Sequence, residues 1–83
     1  MRQEIREILA NIGGLPVGVE TLGDDADLYT AGLSSFASVQ LMLGIEDKFD
    51  IEIPDHLLNR KSFSSIDAIA ETVAAVQASQ EAA

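Results

Sequence analysis

Ile5, Ile8, Leu9 and Ile12 stand at i, i+3, i+4 and i+7, the spacing that gathers apolar side chains into one stripe along an α-helix. The same steps return at Ile66, Ile69, Val73 and Val76, and between these runs Val39, Met42, Ile45 or Glu46, and Phe49 mark successive helical turns. Stripes of this kind are stable in water only when they cover one another. With 83 residues the cover must come from within one module, because the chain is long enough for one core and too short for two. No convincing strand pattern intervenes, so the expected fold is all-α.

The breaks between stripes set the expected architecture. Gly13 and Gly14 end the first helix. Residues 14–33 hold Pro16, Gly18, Gly23, Gly32 and the acidic cluster Asp24, Asp25 and Asp27, a composition that suits a long irregular connection. Leu15, Val17, Val19, Leu22 and Leu28 are the residues expected to tack it onto the core. A loop of this length in a compact domain points to function. The second helix runs from Ser34 or Ser35 to Phe49. Ile51, Ile53 and Pro54 break it, and proline suits the first turn of a short third helix through Leu57 and Leu58. Lys61 to Ser64 form a hinge, after which Ser64 or Ser65 caps a fourth helix. The apolar period is lost from Gln77 to Ala83, so the ordered core is expected over about residues 2–76, with a frayed tail beyond. The whole reads as a four-helix, antiparallel-type bundle with a long first loop and a short third helix.

Charge and residue types narrow the function. A formal net charge of −9 repels nucleic acid and anionic membrane, and a basic protein surface is its natural complement. The chain has no cysteine, which removes disulfides, thiolate zinc sites and cysteine nucleophiles. Its first turns are charged and no later run approaches the length of a membrane span, so a soluble, cytoplasmic monomer is expected. Asp24, Asp25 and Asp27 lack the spacing and terminal glutamate of a calcium loop and read as solvated loop acids, with no metal expected. His56, the single histidine, lies beyond Pro54. With neither a base nor an oxyanion glycine motif beside Ser35, a serine hydrolase is not indicated. A non-catalytic role follows.

Ser34 and Ser35 begin the second helix. A serine there acts as an N-cap, worth about 0.5–2 kcal/mol, but capping needs only one of them. At the other end of the same helix stand Glu46, Asp47 and Asp50, where each exposed negative charge opposes the macrodipole by about 0.3–1 kcal/mol. Lys48 offsets a part. Acid concentrated against the dipole suggests a surface kept for a partner.

These residues carry a family resemblance. From Asp27 to Ala75 the chain is similar to acyl carrier proteins, in which a glycine, two residues and a serine open helix two, followed by V-x-L-x-x-x-(L/I)-E-(D/E)-x-F-(D/G) and (I/V)-x-(I/V)-P. The corresponding residues are Gly32, Leu33, Ser34 and Ser35, then Val39, Leu41, Ile45, Glu46, Asp47, Phe49, Asp50, Ile51, Ile53 and Pro54. The resemblance implies a four-helix carrier fold and a 4′-phosphopantetheine joined to Ser35 by a phosphodiester, whose thiol holds acyl or aminoacyl cargo as a thioester. It implies as partners a phosphopantetheinyl transferase, an acyl- or amino-acid-activating ligase, and downstream transferases with basic docking surfaces. A phosphate at a helix N-terminus would meet free N–H groups and the positive end of the dipole.

The chain also departs from the family. Fatty-acid carriers usually show Asp-Ser-Leu where Ser34-Ser35-Phe36 stands, and their early helix-two acids are replaced by Ala37 and Gln40. The acidic surface has moved toward Glu46, Asp47, Asp50, Glu52 and Asp55. This pattern resembles specialised stand-alone carriers, including those charged with amino acids by truncated synthetase-like ligases. The expected partner surface comprises Ser34, Phe36, Val39, Gln40, Leu43, Glu46, Asp47, Asp50, Glu52 and Asp55. Phe36, Met42, Phe49 and Phe63 are expected to fill the core against a long acyl chain, which favours a small or polar cargo. The competing reading is an acidic helical adaptor without covalent cofactor, in which both serines are only caps.

Overall fold

A computed structural model describes residues 1–12 and 15–82. Three α-helices carry the fold: α1 (Arg2–Ile12), α2 (Ser35–Phe49) and α3 (Ile66–Ala82). Single 3₁₀ turns lie at Val19–Thr21, Asp55–Leu57 and Lys61–Phe63, and no strand occurs among the described residues. The expected short third helix is therefore one 3₁₀ turn, and the described residues form three α-helices instead of four. Pro54 does sit immediately before that turn, but Leu58 already leaves helical backbone at φ −84°, ψ 70°, so no second turn can form. The predicted stop at Gly13 and Gly14 lies outside the described residues.

The periodic residues meet as their spacing requires. Ile5 and Leu9 of α1, Leu41 and Ile45 of α2, and Ile66, Ile69 and Val73 of α3 are buried together, joined by Leu28 from the long loop. Burying side chains of this size contributes about 1.5–3 kcal/mol each. A methyl group on Gly44 would lie 2.9 Å from Ile8 Cγ2, so the bare glycine lets α1 and α2 cross closely. α3 stays helical through Ala82, past Val76, the last core residue. Ala78, Ser79 and Gln80 are exposed on that extension.

The long connection is stitched to the start of α3. Leu28 N–H donates to the Ser64 carbonyl at 2.7 Å and Asp67 N–H donates to the Asp24 carbonyl at 2.9 Å. Ser65 Oγ caps α3 by accepting from Ala68 N–H at 3.0 Å. Val19 and Leu28 are buried and Leu15 and Leu22 pack against the core, whereas Val17 is 44% exposed. That corrects the expected anchoring role of Val17. Asp24 is also more than a solvated acid: Arg6 donates to its Oδ1 at 2.6 Å and to the Val19 carbonyl at 2.9 Å. Arg2 pairs with Asp67 at 2.8 Å. Two of the five cationic side chains thus tie α1 to its neighbours, Arg6 to the long loop and Arg2 to α3.

Candidate functional site

The turn before α2 aims its serines. Gly32 has φ 116°, a conformation that costs glycine little and other residues much. A Cβ there would come within 2.6 Å of Pro16 Cδ and Cγ, so loop packing and backbone both demand glycine. Leu33 N–H closes the turn on the Leu28 carbonyl at 2.9 Å, and buried Leu33 anchors it.

The two serines then divide. Ser34 is the N-cap, with extended backbone and Oγ accepting from Ala37 N–H at 3.1 Å. Ser35 is the first helical residue and is exposed; its Oγ makes no hydrogen bond among the described residues. The N–H groups of Ser35 and Phe36 have no intrahelical acceptor, as at the start of any helix. An exposed hydroxyl, free first-turn N–H groups and the positive helix end form a place that fits a phosphodiester.

Beside Ser35 opens a cleft of ≈ 530 Å³. Tyr29, Leu33, Met42 and Phe63 contribute its apolar side, and Ser38, Asn59 and Arg60 its polar side. The Arg60 guanidinium lies over the Tyr29 ring, 4.3 Å from its centroid, an arrangement worth about 0.5–1 kcal/mol at an exposed site. Asp27 shapes the approach by accepting the N–H groups of Tyr29 at 2.9 Å and Thr30 at 3.2 Å. The Thr30 bond most of all, then the Tyr29 bond, hold the Asp27 carboxyl below its ordinary 3.8 against an opposing desolvation, with the Arg60 charge adding slightly. No carboxylate or imidazole lines the cleft among the described residues.

The residues expected at a partner surface do not all share one face. Phe36, Val39 and Leu43 are 74%, 52% and 55% exposed, and with Gln40 and Asp47 they follow one side of α2 opposite buried Ala37, Leu41 and Ile45. Phe36 is therefore not a core filler. Met42 and Phe49 pack partly against the core and Phe63 is buried, so the expected packing of those rings is met in part and leaves the cleft open. Asp50, Glu52 and Asp55 are exposed but lie where the chain leaves α2, off the Phe36–Leu43 stripe. Glu46 is turned inward: its Oε2 accepts the Ile53 N–H at 2.9 Å. Phe63, expected as a filler of this space, lines the cleft together with Tyr29, Ser38, Asn59 and Arg60, which the sequence motifs do not single out. They come from distant parts of the chain, and no local pattern links them.

Comparison with known proteins agrees with this geometry. Residues 3–73 match the family model described as "Phosphopantetheine attachment site". An aminoacyl carrier protein of Agrobacterium fabrum is 66% identical over 83 residues, the whole of both chains. A D-alanyl carrier protein of Lactobacillus acidophilus is 32% identical, covering 92% of this chain and 94% of that one. In the crystal structure of engineered Bradyrhizobium japonicum glycine:[carrier protein] ligase complexed with carrier protein from Agrobacterium tumefaciens and AMP, the matching chain is 71% identical with TM-score 0.85, covering 88% of this chain and 97% of that chain. These matches leave the cofactor-free adaptor without support. A family match across most of the sequence and a full-length relative at this identity establish that the chain belongs to the phosphopantetheine attachment-site family and is a carrier protein that bears 4′-phosphopantetheine.

Proposed function

We propose that the chain is an aminoacyl carrier whose arm is attached at Ser35. The observation that carries this assignment is the division of labour between the serines: Ser34 Oγ is occupied as the N-cap, while Ser35 is exposed at the first helical position beside the cleft. When bound, the arm supplies a terminal thiol that holds cargo as a thioester. The protein's own residues display it. Among the described residues the cleft lining offers no carboxylate or imidazole to take a proton from Ser35; a phosphopantetheinyl transferase supplies the base and any metal, and this chain acts as its substrate.

Amino-acid cargo is favoured by the full-length identity to an aminoacyl carrier protein and by the likeness to a chain solved with a glycine:[carrier protein] ligase. An amino-acid-activating ligase docks on the exposed stripe of α2, with Phe36, Val39 and Leu43 giving apolar contact and Asp47 steering basic groups. Asp50, Glu52 and Asp55 extend the acidic field beyond the stripe, and downstream transferases use the same surface. No helix among the described residues is long and apolar enough to cross a membrane.

Intact-mass analysis after incubation with coenzyme A and a broad-specificity transferase tests the attachment residue. Wild type and Ser34→Ala gain the arm and Ser35→Ala does not. Addition to Ser35→Ala would remove the assignment. Incubating the holo form with ATP, a glycine-activating ligase and glycine then yields a hydroxylamine-labile mass increase, and its absence with every amino acid tried would remove the aminoacyl reading.

A further inference from the structure

The cleft holds one cationic side chain among its described lining residues, Arg60, in a chain of net charge −9. Arg2 and Arg6 are engaged with Asp67, Asp24 and the Val19 carbonyl, whereas Arg60 lies on the face of Tyr29. The ring supports the guanidinium where it overlooks the cleft. The nearby Asp27 carboxylate is turned onto the Tyr29 and Thr30 N–H groups and does not line the cleft.

We propose that Arg60, held over Tyr29, determines which part of a loaded arm enters the cleft beside Ser35: neutral groups are admitted, and the α-ammonium of an aminoacyl thioester is turned back to solvent. The inference rests on Ser35 as the attachment residue and deepens that reading by naming the residue that sorts cargo by charge. Leu33, Met42 and Phe63 offer apolar surface to a neutral acyl group or to the stem of the arm. An ammonium brought to the same surface would lose hydration and meet a like charge, both unfavourable. The arm's phosphodiester, an anion near Ser35, feels the opposite sign of the same field. The consequence for function is that an aminoacyl end stays accessible to the partner that unloads it.

The test uses arms bearing glycyl or glycolyl groups, which are close in size and differ in a charged ammonium against a neutral hydroxyl, joined by an amide in place of the thioester so that cargo is retained. Each is installed from the corresponding coenzyme A analogue, without any ligase. Tyr29 is the single tyrosine in a chain without tryptophan, so its emission reports on this site alone, and the Met42 methyl resonance reports from the cleft wall. In wild type the glycolyl arm shifts both signals relative to holo protein and the glycyl arm leaves them in place. In Arg60→Gln the two arms give the same shifts, and Arg60→Lys, which keeps the charge, restores the difference. Equal responses in wild type, no response to either arm, or a difference that survives Arg60→Gln would overturn the inference while leaving the attachment residue intact. Failure of Ser35 to gain mass would remove the attachment reading itself and this inference with it.

Discussion

The Glu46 carboxylate accepts the Ile53 N–H at 2.9 Å, so the acid at the heart of the family-like Glu-Asp pair holds the exit of α2. Its own carbonyl accepts the N–H of Asp50, which adopts left-handed backbone at φ 52°, and the N–H of Ile51 at 3.1 Å. Buried Ile51 and Ile53 are thereby drawn onto the core. Asp47, one residue on, is exposed and free to meet a partner. Two adjacent acids thus sit in different surroundings.

Glu46→Ala should therefore destabilise the protein by about 1–3 kcal/mol, the cost of leaving a partly buried N–H without its acceptor, while Glu46→Gln retains most of the stability through its amide oxygen. Urea denaturation of the variants measures this. Equal midpoints for wild type and Glu46→Ala would show that the bond contributes nothing.

Asp47→Lys should leave the urea midpoint unchanged but slow association with the ligase and flatten its salt dependence, because exposed charges act chiefly on encounter. Leu43→Ser should act on dissociation instead, through lost apolar contact. Stopped-flow binding at low and high salt separates the two effects, and unaltered kinetics in both variants would place the docking surface elsewhere.

Ser34→Ala should lower stability by about 1 kcal/mol through loss of the N-cap, a fall in Tm of roughly 4–8 °C for a domain of this size, and should still accept the arm. Ser35→Ala should melt with wild type. Thermal unfolding followed by circular dichroism distinguishes the serines by stability as mass distinguishes them by chemistry.

Gly32→Ala should cost about 1–3 kcal/mol, since the new Cβ meets the Pro16 ring while the backbone stays at positive φ. Pairing it with Pro16→Ala relieves the steric part and leaves the backbone part, so the double variant should recover only some of the loss. Full recovery would assign the whole effect to the ring.

Asp27 has a folded-state pKa below 3.8 because the Thr30 and Tyr29 N–H groups favour its charged form. A depressed carboxyl pKa contributes stability that is present above the unfolded value and lost as pH falls through the folded one. Stability should therefore decline through this group below 3.8, and Asp27→Asn, which keeps an acceptor oxygen but has no proton to gain, should flatten that part of the profile. Urea midpoints across the acid range provide the measurement, and superimposable profiles would exclude Asp27 as a source of acid sensitivity.

Local pattern determined much of this molecule. Ile5 with Leu9, and Ile66 with Ile69 and Val73, declare their helices because a 3.6-residue period needs only neighbouring residues to show itself. The order Gly32, Ser34, Ser35 is legible for a similar reason, since turn, cap and first helical position follow one another along the chain. Tertiary structure decided the rest. Phe36 is as apolar as Phe63, yet one lies open to solvent and the other is buried, because the sides of α2 are assigned by where α1, α3 and the long loop pack. Leu58 could continue a helix by propensity, but the chain had to turn there to bring Arg60 over Tyr29 and Phe63 into the core. Glu46 carries the same charge as Asp47, and only the returning Ile53 N–H makes one an internal acceptor. The cleft joins residues 29 to 63, and contacts at such separation exist only once the loop is closed and its entropy overcome by the core.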